Sequence, residues 1–320
     1  MIVRWGVGEL PGVLGKLAID RPLVVASDRW AATDLGVEPA ARWTEVPSER
    51  VAEAGTLAGD GVVALGGGSA IDLGKAISAE TGVPVVSVPT TYAGAEWTPY
   101  FGIRDPNRKM RGGGAGAHLG GVVYEPELTL SLPQAETVGT AMNALAHCAE
   151  ALYAEGHNPE ADEHGLTGAR LISEWLPRVV DALDELEART RLLEGAMHGG
   201  MALGGSMLAL GHAMAQVLGG RYGLPHGALN AICLPAALRF NSEVAPDAVR
   251  RFGEAMGTDD PVGRVQGLAR LAEYERLRDL GIPAEDLDEV AEATASRPGA
   301  RANPRPATPG DIAELLRSIW

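Results

Sequence analysis

Cysteine is nearly absent, with only Cys148 and Cys233 in 320 residues. The pair has no metal-binding spacing and reads as two buried thiols, a single bridge being the open alternative. Positive charge is scarce as well: 27 Lys and Arg stand against 42 Asp and Glu, a formal net charge of -15. A surface of that sign does not attract nucleic-acid phosphates, so no nucleic-acid partner is expected. An anionic small molecule stays open, because a few pocket arginines outweigh acidic groups beyond a screening length of about 8–10 Å. Long apolar runs are missing too. The most apolar stretch, Met201–Gly220, is rich in Gly and Ala and carries His212 and Gln216, which fits a close-packed buried helix better than a membrane span. Met1–Gly15 lacks a basic n-region followed by an apolar h-region, so no signal peptide is expected. These absences indicate a cytoplasmic protein without membrane contact.

What is present is globular in composition. Hydrophobic residues make up 46% and charged residues 22%, enough to fill two cores. Up to about residue 130 the chain alternates short β-rich runs with helical patterns. Pro22–Ala26, Gly61–Leu65 and Val83–Val88 read as strands, and Ser69 to about Glu80 as a helix. Continuous apolar strands separated by helices predict a parallel sheet covered on both faces. From about Leu132 helical patterns follow one another: Glu136–Ala154, Glu160–Leu186, Thr190–Leu218, Pro225–Asn241 and Ile312–Trp320. The expected organisation is therefore an α/β, Rossmann-like dinucleotide-binding domain over 1–132 and an all-α substrate and catalytic domain over 133–320.

Gly66-Gly67-Gly68-Ser69 lies between a predicted strand and a predicted helix. Such a turn brings backbone N–H groups and the positive end of a helix dipole to a diphosphate. Ser69 is expected to cap that helix, with Asp72 three residues on in the capping-box position. An ordinary capped turn explains the motif equally well, since Ile71 occupies the third glycine position of G-x-G-x-x-G. Asp28, at the end of the Leu23–Ser27 run, suits an adenosine ribose and favours NADH over NADPH, although a helix N-cap would place an aspartate there too. Pro89–Pro99, with Thr90, Thr91, Tyr92 and Thr98, suits the ligand crevice at the carboxyl ends of a parallel sheet.

These stretches, with Asn143-Ala144-Leu145-Ala146-His147, Gly211–Ala215 and Leu218–Gly227, resemble the iron-containing alcohol dehydrogenase superfamily over nearly the whole chain. The resemblance implies a dehydroquinate synthase-like fold, an N-terminal dinucleotide domain and a helical domain with the active site in the cleft, and a homodimer. Within the superfamily Pro89–Gly94, the tail Ala302–Pro306 and Asn143 are similar to the maleylacetate reductases. In metal-dependent relatives an Asp and three His at the positions of 143, 147, 212 and 226 bind the ion. Here the anionic ligand is a neutral amide, so no functional metal is expected.

The implied activity is NADH- or NADPH-dependent reduction of maleylacetate, or a similar unsaturated oxo-dicarboxylic acid, yielding 3-oxoadipate. Hydride addition to an enone generates an enolate, and His147, His212 and His226 are the candidates to stabilise its oxygen and deliver a proton. A half-buried structural histidine is the plain alternative for any one of them. Tyr92, Asn143, Gln216 and Arg221 are the substrate-side candidates, Arg221 as a carboxylate clamp. Lys109, one of three lysines, matches a family lysine near the cofactor. Gln216 stands where the relatives carry a histidine. The resemblance leaves open a metal-dependent alcohol or polyol dehydrogenase and a repurposed NAD-binding homologue.

Overall fold

Side chains of a strand alternate between the two faces of its sheet, so a strand buried on both sides is apolar throughout. The computed structural model, which describes Met1–Trp320, shows this in its first unit, Met1–Thr91 with Ala95–Ser131. Six strands, β1 (Ile2–Trp5), β2 (Leu23–Val25), β3 (Ala41–Trp43), β4 (Val62–Gly66), β5 (Val85–Pro89) and β8 (Leu119–Tyr124), form one sheet in the order β1-β8-β5-β4-β2-β3. Every pairing in it is parallel. Val24, Val63, Leu65, Val86 and Val88 face a core closed by Leu10, Val13 and Leu14 of α1 (Leu10–Lys16). Their neighbours Leu23, Val25, Val62, Ala64 and Val85 face the opposite core, closed by α2 (Val51–Gly55) and by Leu73, Ala76 and Ile77 of α3 (Gly68–Thr81). An antiparallel hairpin, β6 (Phe101–Arg104) and β7 (Met110–Gly114), was not expected from sequence; its second strand is exposed and glycine-rich.

The second unit, Tyr92–Gly94 with Leu132–Trp320, contains no strand. Its helices are α4 (Gln134–Ala151), α5 (Pro159–Asp181), α6 (Leu186–Gly204), α7 (Leu210–Tyr222), α8 (His226–Asn241), α9 (Pro246–Ala255), α10 (Pro261–Ala269), α11 (Leu287–Ala295), α12 (Pro298–Arg301) and α13 (Pro309–Ser318). Helix α4 is central and packs against α5, α6 and α8. Small residues allow this: a Cβ on Gly227 would stand 2.2 Å from the Gly139 carbonyl oxygen, so α8 sits backbone to backbone on α4. The helical pattern expected over Thr190–Leu218 is two helices, because Gly204-Gly205-Ser206 interrupts it before α7 begins. No helix is long and apolar enough to cross a membrane.

Arg189 of α6 is fully buried without a carboxylate partner. Its guanidinium donates to the Leu183 carbonyl (2.9 Å), the Thr137 hydroxyl (3.0 Å), the Tyr92 hydroxyl (3.2 Å) and the Leu132 carbonyl (3.4 Å). It thereby ties α6, α4 and the Tyr92 segment together. Truncation would strand several buried acceptors at about 1–3 kcal/mol each. Arg189→Ala is therefore expected to lose about 3 kcal/mol or more of stability in urea unfolding; a midpoint unchanged from wild type would refute this role.

Candidate active site

In the first unit the loops after β2, β4 and β5 lie at the carboxyl edge of neighbouring strands. Gly66 ends β4 with φ +147, and a Cβ there would lie 2.8 Å from the Ala70 Cβ. Its carbonyl accepts the Thr90 N–H at 3.0 Å, which joins the β4 and β5 loops. A Cβ on Gly67 would meet the Thr91 methyl at 2.9 Å, so the Thr91 side chain fills the space a side chain at 67 would need. Ser69 does not cap α3: the N-cap is Gly67, without a side-chain hydrogen bond or an acidic residue in the first turn. Asp72 does not close a capping box either. It pairs with Lys75 at 2.9 Å and accepts the Gly102 N–H at 3.1 Å. The start of α3 is thus left without a side-chain acceptor, and the Thr91 hydroxyl is buried with no partner. Uncapped helix N–H groups beside glycines fit a dinucleotide diphosphate.

Thr90 and Thr98 are buried in the same unit. Asp28 is exposed and opens a short 3-10 turn after β2, the strand next to β4. Lys109 is exposed in the β6–β7 hairpin, where the neighbouring Arg111 pairs with Asp105 and Glu49.

In the second unit the three histidines meet. His147 of α4 stacks on His212 of α7 with ring centroids 4.7 Å apart and planes 14° from parallel. His226, the first residue of α8, lies 5.8 Å from His212 at 50°. His147 and His212 are buried, and the His147 Nδ1 and His212 Nε2 find no partner. Burial first, then the neighbouring His212 and His226, hold His147 well below its ordinary 6.5, so it is neutral at neutral pH. Glu150, one turn along α4 from His147 and fully buried, faces the His212 Nδ1 at 2.8 Å.

Asn143 is committed to its own unit. Its amide donates to the Ala93 carbonyl at 2.9 Å, and its oxygen accepts from Asn230 at 2.6 Å. Thr140, on the same face of α4, accepts the Tyr92 N–H at 3.2 Å. Together they latch Tyr92–Gly94 onto α4.

Two substrate-side candidates are engaged within the protein. Tyr92 is fully buried and its hydroxyl accepts from Arg189, because the chain turns it into the helical core. Arg221 is held by Glu289 (2.8 Å) and Asp286 (3.3 Å), pairings that push its pKa up, so its donors already have two carboxylates. Gln216 is half-buried one turn beyond His212.

The histidines do not fit the metal of the fold family. Imidazoles that share a metal aim their in-plane lone pairs at one point, whereas the His147 and His212 rings are stacked with planes 14° from parallel. The fourth position offers a carboxamide already engaged at both ends, not an anion. No group of three or more His, Cys, Asp or Glu side chains is arranged to hold a metal ion.

Sequence reasoning missed Glu150, Asn230 and Arg189. The available signal was a charged or amide residue inside otherwise apolar, Ala-rich helical runs, such as Ala144–Leu152 around Glu150.

Family profiles agree with this arrangement: the C-terminal profile of the Fe-containing alcohol dehydrogenase family matches residues 137–320, and the iron-containing alcohol dehydrogenase profile matches 7–118. The chain belongs to the iron-containing alcohol dehydrogenase family. Maleylacetate reductase of Burkholderia cepacia is 39% identical over 280 residues, covering 86% of this chain and 78% of that protein. Maleylacetate reductase of Pseudomonas knackmussii is 35% identical and covers 98% of this chain and 93% of its own. The crystal structure of maleylacetate reductase from Rhizobium sp. superposes with a TM-score of 0.89 at 31% identity, covering 100% of this chain and 95% of that one. Within the iron-containing alcohol dehydrogenase family this chain is thus an NAD(P)H-dependent oxidoreductase closely related to the maleylacetate reductases.

Two outcomes follow. Asn143→Asp exchanges a donor for a carboxylate facing the Ala93 carbonyl, at a cost of about 2–3 kcal/mol. We expect a lower thermal midpoint and no iron in protein grown in iron-supplemented medium; one iron per chain at wild-type stability would refute the fit argument. The second concerns pH. His147 and, through burial and His164, His198 titrate lower in the folded protein than in the unfolded chain. Below about 6.5 the unfolded chain therefore binds more protons, so stability is full above that pH and falls as pH drops towards the folded values. His147→Gln should flatten the urea midpoint between pH 7 and 5, by up to about 1.4 kcal/mol per pH unit; identical slopes would refute it.

Proposed function

We propose that this enzyme reduces maleylacetate, or a similar unsaturated oxo-dicarboxylic acid, yielding 3-oxoadipate in the named case, without a metal. The observation that carries the reading is the histidine cluster itself: three imidazoles face one another with no metal-binding carboxylate, and two buried nitrogens lack partners. Maleylacetate reductases are among the relatives that match most of the chain, which supports the same substrate class.

When bound, the reduced nicotinamide supplies a hydride. Gly66, Gly67, Gly68 and Ser69 would hold its diphosphate at the start of α3, with Thr90, Thr91 and Thr98 on the crevice side and Lys109 from the hairpin. Asp28, in the turn after β2, would accept hydrogen bonds from a ribose and repel a 2′-phosphate, which favours NADH.

Two-electron reduction of an enone leaves an enolate. Its oxygen needs a hydrogen-bond donor, and its carbon needs a proton. His147, His212 and His226 are proposed for these tasks. Gln216 lines the substrate side beyond His212, and Asn143 acts through the Tyr92–Gly94 segment it holds. A cytoplasmic homodimer is the assembly proposed.

The test follows NADH and NADPH oxidation with a panel of 2-enoic oxo-acids and aldehydes, each with and without chelator. Turnover of the unsaturated oxo-diacids with NADH, unchanged by chelator, is expected. Activity confined to aldehydes and abolished by chelation would sink the reading.

A further inference from the structure

We infer that Glu150 is a positioning residue that fixes the tautomer of His212, with the hydrogen on Nδ1 and Nε2 left as the ring's free nitrogen. The inference rests on the reading above. Glu150 is fully buried, and its two oxygens meet three N–H positions. Oε1 lies 3.0 Å from the His212 backbone nitrogen; Oε2 lies 2.6 Å from the Ala209 backbone nitrogen and 2.8 Å from the His212 Nδ1. Backbone N–H groups can only donate. Both oxygens therefore already act as acceptors, and a lone pair on Nδ1 would face an oxygen lone pair. The remaining arrangement places the hydrogen on Nδ1, donated to Oε2.

The consequence falls on the other ring nitrogen. Nε2 is buried, has no partner and lies on the ring edge opposite Glu150. In the Nδ1–H tautomer it is the ring's open position. His147 differs. It stacks on His212, is held neutral, and its own Nδ1 has no acceptor to fix a tautomer. Glu150 thus distinguishes two rings that are otherwise neighbours in one pocket.

The same carboxylate binds the N–H groups at the start of α7, so it sets where His212 stands as well as how its ring is turned. Glutamine at 150 has one acceptor oxygen and an NH2 that must face an N–H donor, so it cannot reproduce the three contacts. Aspartate keeps the charge on a shorter arm.

The experiment combines two readouts on the full-length enzyme. Nitrogen-15 NMR of histidine-labelled wild type, with His212→Gln used to assign the signal, should show a protonated Nδ1 and an unprotonated Nε2 on neutral His212. Kinetics of Glu150→Gln should show kcat reduced about 10- to 100-fold with KM within about threefold, and Glu150→Asp should recover part of the loss. A structural role alone would lower the thermal midpoint and leave kcat per folded enzyme unchanged. Hydrogen on Nε2 in the wild type, or a folded Glu150→Gln with kcat within about threefold of wild type, overturns the inference. If Glu150→Gln does not fold, the wild-type spectrum decides alone. The spectrum needs no turnover, so failure of the substrate assignment and failure of the tautomer assignment are read separately.

Discussion

Glu150 puts a carboxylate where water cannot reach, and the helical unit is arranged around the cost of that burial. An isolated buried charge costs several kcal/mol even after relaxation. Three N–H donors offset it here, two from the backbone at the start of α7 and one from His212. The break after α6 follows from this as much as from the glycines at 204 and 205. A helix running through Leu210 would have its N–H groups satisfied internally and could not offer them to Glu150. Where α7 begins therefore decides where His212 stands.

The same logic runs along α4. This helix is apolar enough to be central, and several of its polar groups tie it to neighbouring elements. Thr140 and Asn143 hold Tyr92–Gly94, Asn143 also meets Asn230, His147 stacks on His212, and Glu150 orders α7. Buried polar atoms without protein partners are rare in folded chains. In this unit they include His147 Nδ1 and His212 Nε2; in the first they include the Thr91 hydroxyl beside Gly67. Each belongs to a residue proposed above for cofactor or substrate.

Legibility in the sequence followed the strength of the local signal. Strands β2, β4 and β5 are unbroken apolar runs and could be read directly. Strand β8 contains Gly120 and Gly121, where side chains at those positions would strike Leu17 and Val13, so packing rather than propensity made it a strand. The three histidines stood out in the sequence through their spacing and family resemblance, and the fold brings their rings together. Glu150 did not stand out, because a glutamate in a helix is ordinarily a solvated residue and only the fold shows that this one is dry. The long-range partners of Tyr92 and Arg221, Arg189 for one and Glu289 for the other, have no signal in the neighbouring sequence either.

Asn143 shows why a family position cannot be reinterpreted one atom at a time. Exchanging oxygen for an amide removes an anion from the cluster and creates a donor. The donor has been taken up by the Ala93 carbonyl, while Asn230 donates to the remaining oxygen. The amide is now the link between α4, α8 and the segment that leaves the first unit. Loss of the metal-binding carboxylate and the fixing of Tyr92–Gly94 are consequences of the same side chain. On the proposed reading this cluster stabilises charge on its substrate with imidazoles, and Glu150, on the far side of His212, is the carboxylate that orders it.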